Sequence, residues 1–487
     1  MIRLTLLSLV VGFLSIYAFK DWYKSLCGLI LLMAVIEHPD MPSSMWGIQG
    51  LNLWNILLMF VVLGWISARK REGLRWDMPR HINILLLVYL IVILIGFYRM
   101  LTDRSALIDY AILTGKHSPT TAGLLSEHLI NCIKWVIPGL LLFDGCRSES
   151  RLKLGLIVLL GVYFLLAVQV IKWMPISAVM EGESLDSRSA KILVNEIGYH
   201  RVNLSAMLAG ASWAIFSTRQ MGKNSWQVFL IAGASLIVLF GQSLTGGQAG
   251  YATWAGVGLV LCLMRWRRYL LFAPVVVILV LTFVPGAWER MSKGISAETA
   301  DSNPLIERSM QLQADALRDR GVDLYTVTSG RTVAWPYVID KIMERPIVGY
   351  GREAMKRTGI ASFLWQEFQE SFPHPHNAYL ELLLDNGLLG GFPVLLFYLL
   401  VIKCSISLFR DSRNSIFIAT GGVALSLVLA LMFASIGSQT FYPREGAVGM
   451  WCAIGLMLRV HVQRLDLRTA SNPDSMTTSE DELWRRI

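Results

Sequence analysis

Long apolar runs, separated by short polar loops that are mostly basic, organise most of this chain. The runs fall near 4–19, 22–37, 49–68, 82–98, 124–144, 152–171, 202–218, 226–242, 249–264, 269–285, 388–409, 415–435 and 446–460. A helix that crosses a bilayer needs roughly 20 apolar residues. The pattern therefore predicts an all-α polytopic membrane protein with about 12–13 transmembrane helices, the first two runs being short. The loops at 69–80, 146–153, 219–223, 265–268 and 410–413 are basic and alternate, which places them in the cytosol. The loops at 38–48, 99–123, 172–201, 243–248, 286–376 and 436–445 then share the opposite side.

The 286–376 loop is too long for a simple connector. Trp335, Val338, Ile339, Ile342 and Met343 have helical spacing within it, and 304–321 forms a weaker amphipathic segment. We expect four parts: a transmembrane bundle over 1–285, an extracytoplasmic helical cap over 286–376, C-terminal transmembrane helices over 377–460, and a polar, disordered cytosolic tail over 461–487. The apolar run after Arg3 resembles a signal peptide but is followed by no small-residue cleavage site, so it is expected to stay as a membrane helix.

Composition sharpens this picture. Of 487 residues, 54% are hydrophobic and only 16% charged, against about 25% charged in soluble domains. The net charge of +9 sits in the short loops and is no nucleic-acid signature. Six cysteines without a CxxC read as small packing residues rather than a disulfide framework. No DxD, HExxH or outer-face acid cluster points to a metal, and no cofactor is expected.

The chemistry-bearing stretch is SFPHPHNAYLELLLDNGLLGG, residues 371–391. Pro373 and Pro375 impose an extended approach to an apolar helix. His376 then lies near a helix start, where an imidazole tends to stay neutral and suits a general base. His374 is on the same turn and competes for the role. Gly387, about three helical turns on, is expected on the same helix face as His376. SGRTVAW (329–335) puts Arg331 at another helix start, either as an anion site or as a surface Arg on a lipid headgroup. Arg201 and Arg188 belong to the 172–201 loop, as anion-binding or anchoring groups. Lys134, inside an apolar run, is expected to pair with Glu127 or another acid, or to bind an anionic group.

SGRTVAW, RPIVGYG (345–351) and HPHNAYLELLLDNGLLGG (374–391) together resemble the O-antigen ligase and O-antigen polymerase superfamily. The order of elements is similar as well: many membrane helices, a long outer loop, a His motif, then the last helices. The resemblance implies a metal-independent, inverting membrane glycosyltransferase. Its donor would be a glycan on undecaprenyl diphosphate; its acceptor a glycan, lipid A-core or a protein, at the periplasmic face of the bacterial inner membrane. By that resemblance His376 is the base, Arg331 binds the diphosphate, and Arg201 or Arg188 supplies a second Arg. His374, Asn377 and Gly387 would support them, and Lys134, on its own position in an apolar run, is a further supporting candidate. The rival reading is a lipid-linked glycan transporter or flippase, which should show inverted repeats and broken helix pairs near the midplane.

Overall fold

The computed structural model describes residues 2–42, 44, 45, 48–174, 182–272, 274, 275, 278, 282, 331–368, 371–437 and 439–470. The 304–321 segment and most of the 269–285 run lie outside them. The longer helices are α1 (Ile2–Tyr17), α2 (Trp22–Leu32), α3 (Leu53–Arg71), α4 (Arg80–Thr102), α5 (Glu149–Trp173), α6 (Gly182–Glu196), α7 (Arg201–Ser217), α8 (Ser225–Leu244), α9 (Gln248–Met264), α10 (Arg331–Glu344), α11 (Ala378–Phe409), α12 (Ser415–Ala434) and α13 (Val448–Ala470). The described β-structure is a two-residue antiparallel pair, Ser44–Met45 with Ile48–Gln49. The all-α polytopic class holds: α3, α4, α5, α8, α11 and α12 are long and apolar enough to cross a membrane, and α1, α2 and α9 are shorter apolar helices.

Helix starts follow local chemistry. Asn52, Ser148, Asn224, Asn377 and Asn414 each cap a helix through a side-chain oxygen that accepts a backbone N–H. Large side chains such as Phe13, Ile16, Trp226, Phe229, Leu389 and Phe392 remain exposed, as a lipid-facing surface requires. The most enclosed span is α12, which packs against α7, α9, α11 and α13. The buried side of α7 is mostly Ala, Ser and Gly, which lets its neighbours approach closely.

Three expectations change. The 124–144 run is not one span. It divides into Thr121–Leu125, a π-helical turn Ser126–Ile130, Asn131–Lys134 and Ile137–Gly145; the last break falls where Pro138 has no N–H to donate to the Lys134 carbonyl. On α10, Val338 is buried but Ile339 and Met343 are exposed. The buried face is instead centred on Ala334 and Val338, which pack with Leu364 and Leu384. Helix α13 runs to Ala470, into the expected tail, and Arg464 anchors this end through Asp411 (2.7 Å) on the far side of α11.

The alternation of loops is visible in space. The ends at His200, Gly247, Pro375 and Gly437 gather at one side. Those at Arg219, Arg265–Arg268 and Arg410 gather at the other.

Candidate functional site at the start of helix α11

Helix α10 reaches the His motif through Trp335, whose indole N–H donates to the Pro375 carbonyl (3.0 Å). Arg331 is one turn earlier, on the same helix face. That single hydrogen bond therefore brings the guanidinium to the His loop. There Arg331 lies against the turn that ends α12: a Cβ placed on Gly437 would be 3.3 Å from its Nη1, and 3.5 Å from the Ala249 Cβ in the first turn of α9. The approach is locked from the other side, where the Ala378 N–H donates to the Ser435 carbonyl (2.8 Å).

His376 precedes the N-cap and has φ +52°, in the left-handed region, which His visits more readily than bulky residues do. Its N–H donates to His374 Nδ1 (3.3 Å), and the two rings meet edge to face at 4.1 Å. Asn377 closes the helix start by accepting from the Tyr379 (3.0 Å) and Leu380 (3.2 Å) N–H groups. Burial pushes the His376 imidazole down to about 3, helped by the fields of His374, Arg331 and His200. Burial also holds His374 below its ordinary value. Both rings are therefore neutral proton acceptors at neutral pH.

His200, which the sequence reading did not single out, is the N-cap of α7 and accepts from Val202 N–H (3.4 Å). It carries the α7 start, and with it Arg201, to this side. The Arg201 carbonyl lies 3.8 Å from a Cβ placed on Gly247, beside the α9 start. Arg188 is exposed on α6. Lys134 is elsewhere, in a second cleft with Glu37, His38 and Glu445. Its ammonium sits over the Trp135 ring (4.2 Å) and the Trp54 ring (5.7 Å), and the acids whose fields reach it are Glu37 and Glu445 rather than Glu127.

Gly387 does not share a continuous helix face with His376. It breaks α11, with φ +60° and ψ −166°, a region essentially reserved for glycine. A break strands carbonyls before it and N–H groups after it. The RPIVGYG segment supplies the partners. Tyr350 N–H donates to the Leu384 carbonyl (2.9 Å) and Gly351 N–H to Asp385 (2.6 Å), while Leu388 and Leu389 N–H donate to the Pro346 (2.8 Å) and Ile347 (2.9 Å) carbonyls. Two motifs that are far apart in sequence are thus one backbone joint. A broken helix is half of what a transporter reading asks for, but here the freed groups are occupied by the chain itself.

Below the His turn, Glu381 and Asp385 share one face of α11 and converge on Arg352. Arg352 Nη1 donates to Glu381 Oε1 (3.1 Å) and Asp385 Oδ2 (3.4 Å). The guanidinium lies 3.4 Å over the Tyr442 ring, and Tyr442 donates its O–H to Asp385 (2.9 Å). Arg352 was missed in the sequence, although a signal existed: two acids four residues apart in a membrane helix require a cation. Among the described residues no three His, Cys, Asp or Glu side chains gather at metal-ligand spacing.

Residues 229–395 match the family model described as O-antigen ligase. The "Putative polysaccharide ligase" of Rickettsia conorii is 24% identical over 204 residues, 41% of this chain and 43% of that protein. Proteins with the same description from Rickettsia prowazekii and Rickettsia typhi are 26% identical over 195 residues and 24% over 225, covering 43% and 49% of their lengths. The matched stretch thus spans less than half of each relative. The family match at 229–395 contains Arg331, the RPIVGYG joint, His376 and the break at Gly387, whereas Lys134, Arg188 and Arg201 fall outside it. Residues 229–395 of this chain are thus similar to the O-antigen ligase family.

Proposed function

We propose that this protein is a multi-pass membrane glycosyltransferase of the polysaccharide ligase type. It would move a glycan from undecaprenyl diphosphate to an acceptor hydroxyl at the periplasmic face of the bacterial inner membrane. The observation that carries this is a half-buried, neutral His376 in the field of Arg331, where the ends of α7, α9 and α12 meet the start of α11. The family match and the three Rickettsia relatives support the ligase class.

The chemistry follows from the two groups. The acceptor oxygen attacks the anomeric carbon, and its proton passes to the His376 imidazole. The bond from that carbon to the lipid diphosphate breaks, and its electron pair leaves on the phosphate oxygen. Arg331 stabilises that charge through its planar fork, and Arg201, at the α7 start on the same side, is the choice for a second cation; Arg188, on exposed α6, is the weaker choice. One displacement inverts the anomeric centre, and no metal is required for it. Donor binding also tunes the base: burial is the main cause that holds His376 down, and a diphosphate at Arg331 offsets one of the lesser fields that add to it, so the imidazole becomes somewhat more basic when its substrate is in place.

The test is transfer by purified protein from undecaprenyl diphosphate-linked oligosaccharide, with no acceptor and with lipid A-core. Loss of product in His376→Ala at normal membrane abundance supports the assignment, since a missing general base costs roughly 10²–10⁴-fold. A ladder without acceptor identifies a polymerase, and product only with lipid A-core a ligase. Full activity of His376→Ala refutes the role.

A further inference from the structure

Helices α7, α9 and α11 all end at the side opposite the His site. A cleft of about 900 Å³ opens there, lined by Arg219, Arg265, Arg267, Arg268 and Arg410. Several arginines on this side are paired with acids. Arg147 and Arg459 hold Asp77 (2.8 and 2.6 Å), Arg151 holds Glu72 (2.7 Å), and Arg464 holds Asp411 (2.7 Å). The five cleft arginines make no ion pair among the described residues and, unlike the other unpaired arginines Arg71, Arg75 and Arg80, line one cavity. Arg265 donates to the Phe409 carbonyl (3.0 Å) and Ser412 Oγ (3.3 Å), and Arg267 to the Leu263 carbonyl (3.2 Å). Arg219 lies 4.1 Å over the Trp266 ring and 4.2 Å over Phe216.

Five guanidinium charges therefore share one cleft. Three helix C-termini face it against the N-termini of α8 and α12, so helix dipoles remove only about half a charge. One phosphate leaves most of the remainder uncompensated. The positive-inside rule explains basic residues on this face, but not why these five line one cleft without an acid among them. Beside the cleft, Leu263 (47%), Met264 (37%) and Leu271 (80%) are exposed, an apolar flank suited to acyl chains.

We propose that this cleft binds the headgroup of an anionic phospholipid carrying two phosphodiesters, with its acyl chains along Leu263, Met264 and Leu271. The arginines take the phosphate oxygens through their forks, and Trp266 and Tyr269 sit at headgroup level. The site is remote from the transfer site and independent of the reaction assigned there.

The experiment measures lipid binding to the purified full chain by native mass spectrometry. Probes are tetraoleoyl cardiolipin, dioleoyl phosphatidylglycerol and dioleoyl phosphatidylcholine, with inorganic pyrophosphate as competitor. Cardiolipin should bind best, and Arg267→Gln/Arg268→Gln/Arg410→Gln should weaken it by roughly tenfold or more. All three side chains are exposed, so folding should survive. The same charge removed nearby, in Lys70→Gln/Arg71→Gln/Arg75→Gln, should leave binding unchanged. Equal loss in both variants would mean general charge attraction and overturn the site. Competition by pyrophosphate at the lipid's own affinity, or no preference over phosphatidylcholine, would overturn it too.

Discussion

Replacing Gly387 with Ala tests the joint between the two motifs. A Cβ at this position runs into the Ile347 carbonyl and comes within 2.5 Å of Val348 N. Both are backbone atoms that cannot rotate away. The native φ of +60° with ψ −166° costs a non-glycine residue about 1–3 kcal/mol. Separating the strands weakens the four crossing hydrogen bonds; losing two of them adds about 2 kcal/mol at ~1 kcal/mol each. The sum is about 4 kcal/mol, or a shift of roughly 10³ toward an opened joint. The joint holds Arg352 under the His turn, so opening it should lower both thermal stability and glycan transfer. Gly391→Ala is the control, because its Cβ meets only Leu383 and Leu382 side-chain atoms at 3.3 Å or more. Both variants are to be purified and compared by thermal unfolding and by the transfer assay. If Gly387→Ala matches Gly391→Ala in both, the motifs do not act as a joint and the reasoning fails.

Arg331→Lys keeps the charge but loses the fork, and should lower kcat/KM roughly tenfold or more, the worth of one charge-assisted hydrogen bond (about 1.5–3 kcal/mol); an unaffected Lys variant would assign Arg331 to a headgroup instead. Arg352→Ala leaves Glu381 and Asp385 facing each other in the membrane helix, and should cost about 3–5 kcal/mol, read as a fall in Tm. The pH profile of kcat/KM carries its own sign. Burial favours the neutral His376 imidazole, so its acid limb should lie well below the ordinary value of about 6.5. A limb centred near 6.5 and removed by His376→Ala would show that this ring is not held neutral in the free enzyme.

Membrane class, most of the apolar helices, the loop alternation and the helix start at Asn377 were legible in the sequence. Each depends on local pattern: hydropathy over one helix length, a capping side chain, a proline without an N–H. The O-antigen ligase resemblance was legible in the same way, from contiguous motifs. What the tertiary structure decided concerns groups remote in sequence. Gly387 read as one more position on a helical face; only the crossing by residues 346–351 makes it the break. Arg352 is unremarkable in its own segment and becomes the partner of Glu381 and Asp385 because the joint swings it under α11. His200 joins the His376 neighbourhood through helix packing, and Lys134 finds two tryptophans rather than the acid nearest in sequence. The physical reason is common to all four. Backbone and charge satisfaction inside a membrane protein must be complete, but which distant group supplies it is set by the packing of helices, not by spacing along the chain.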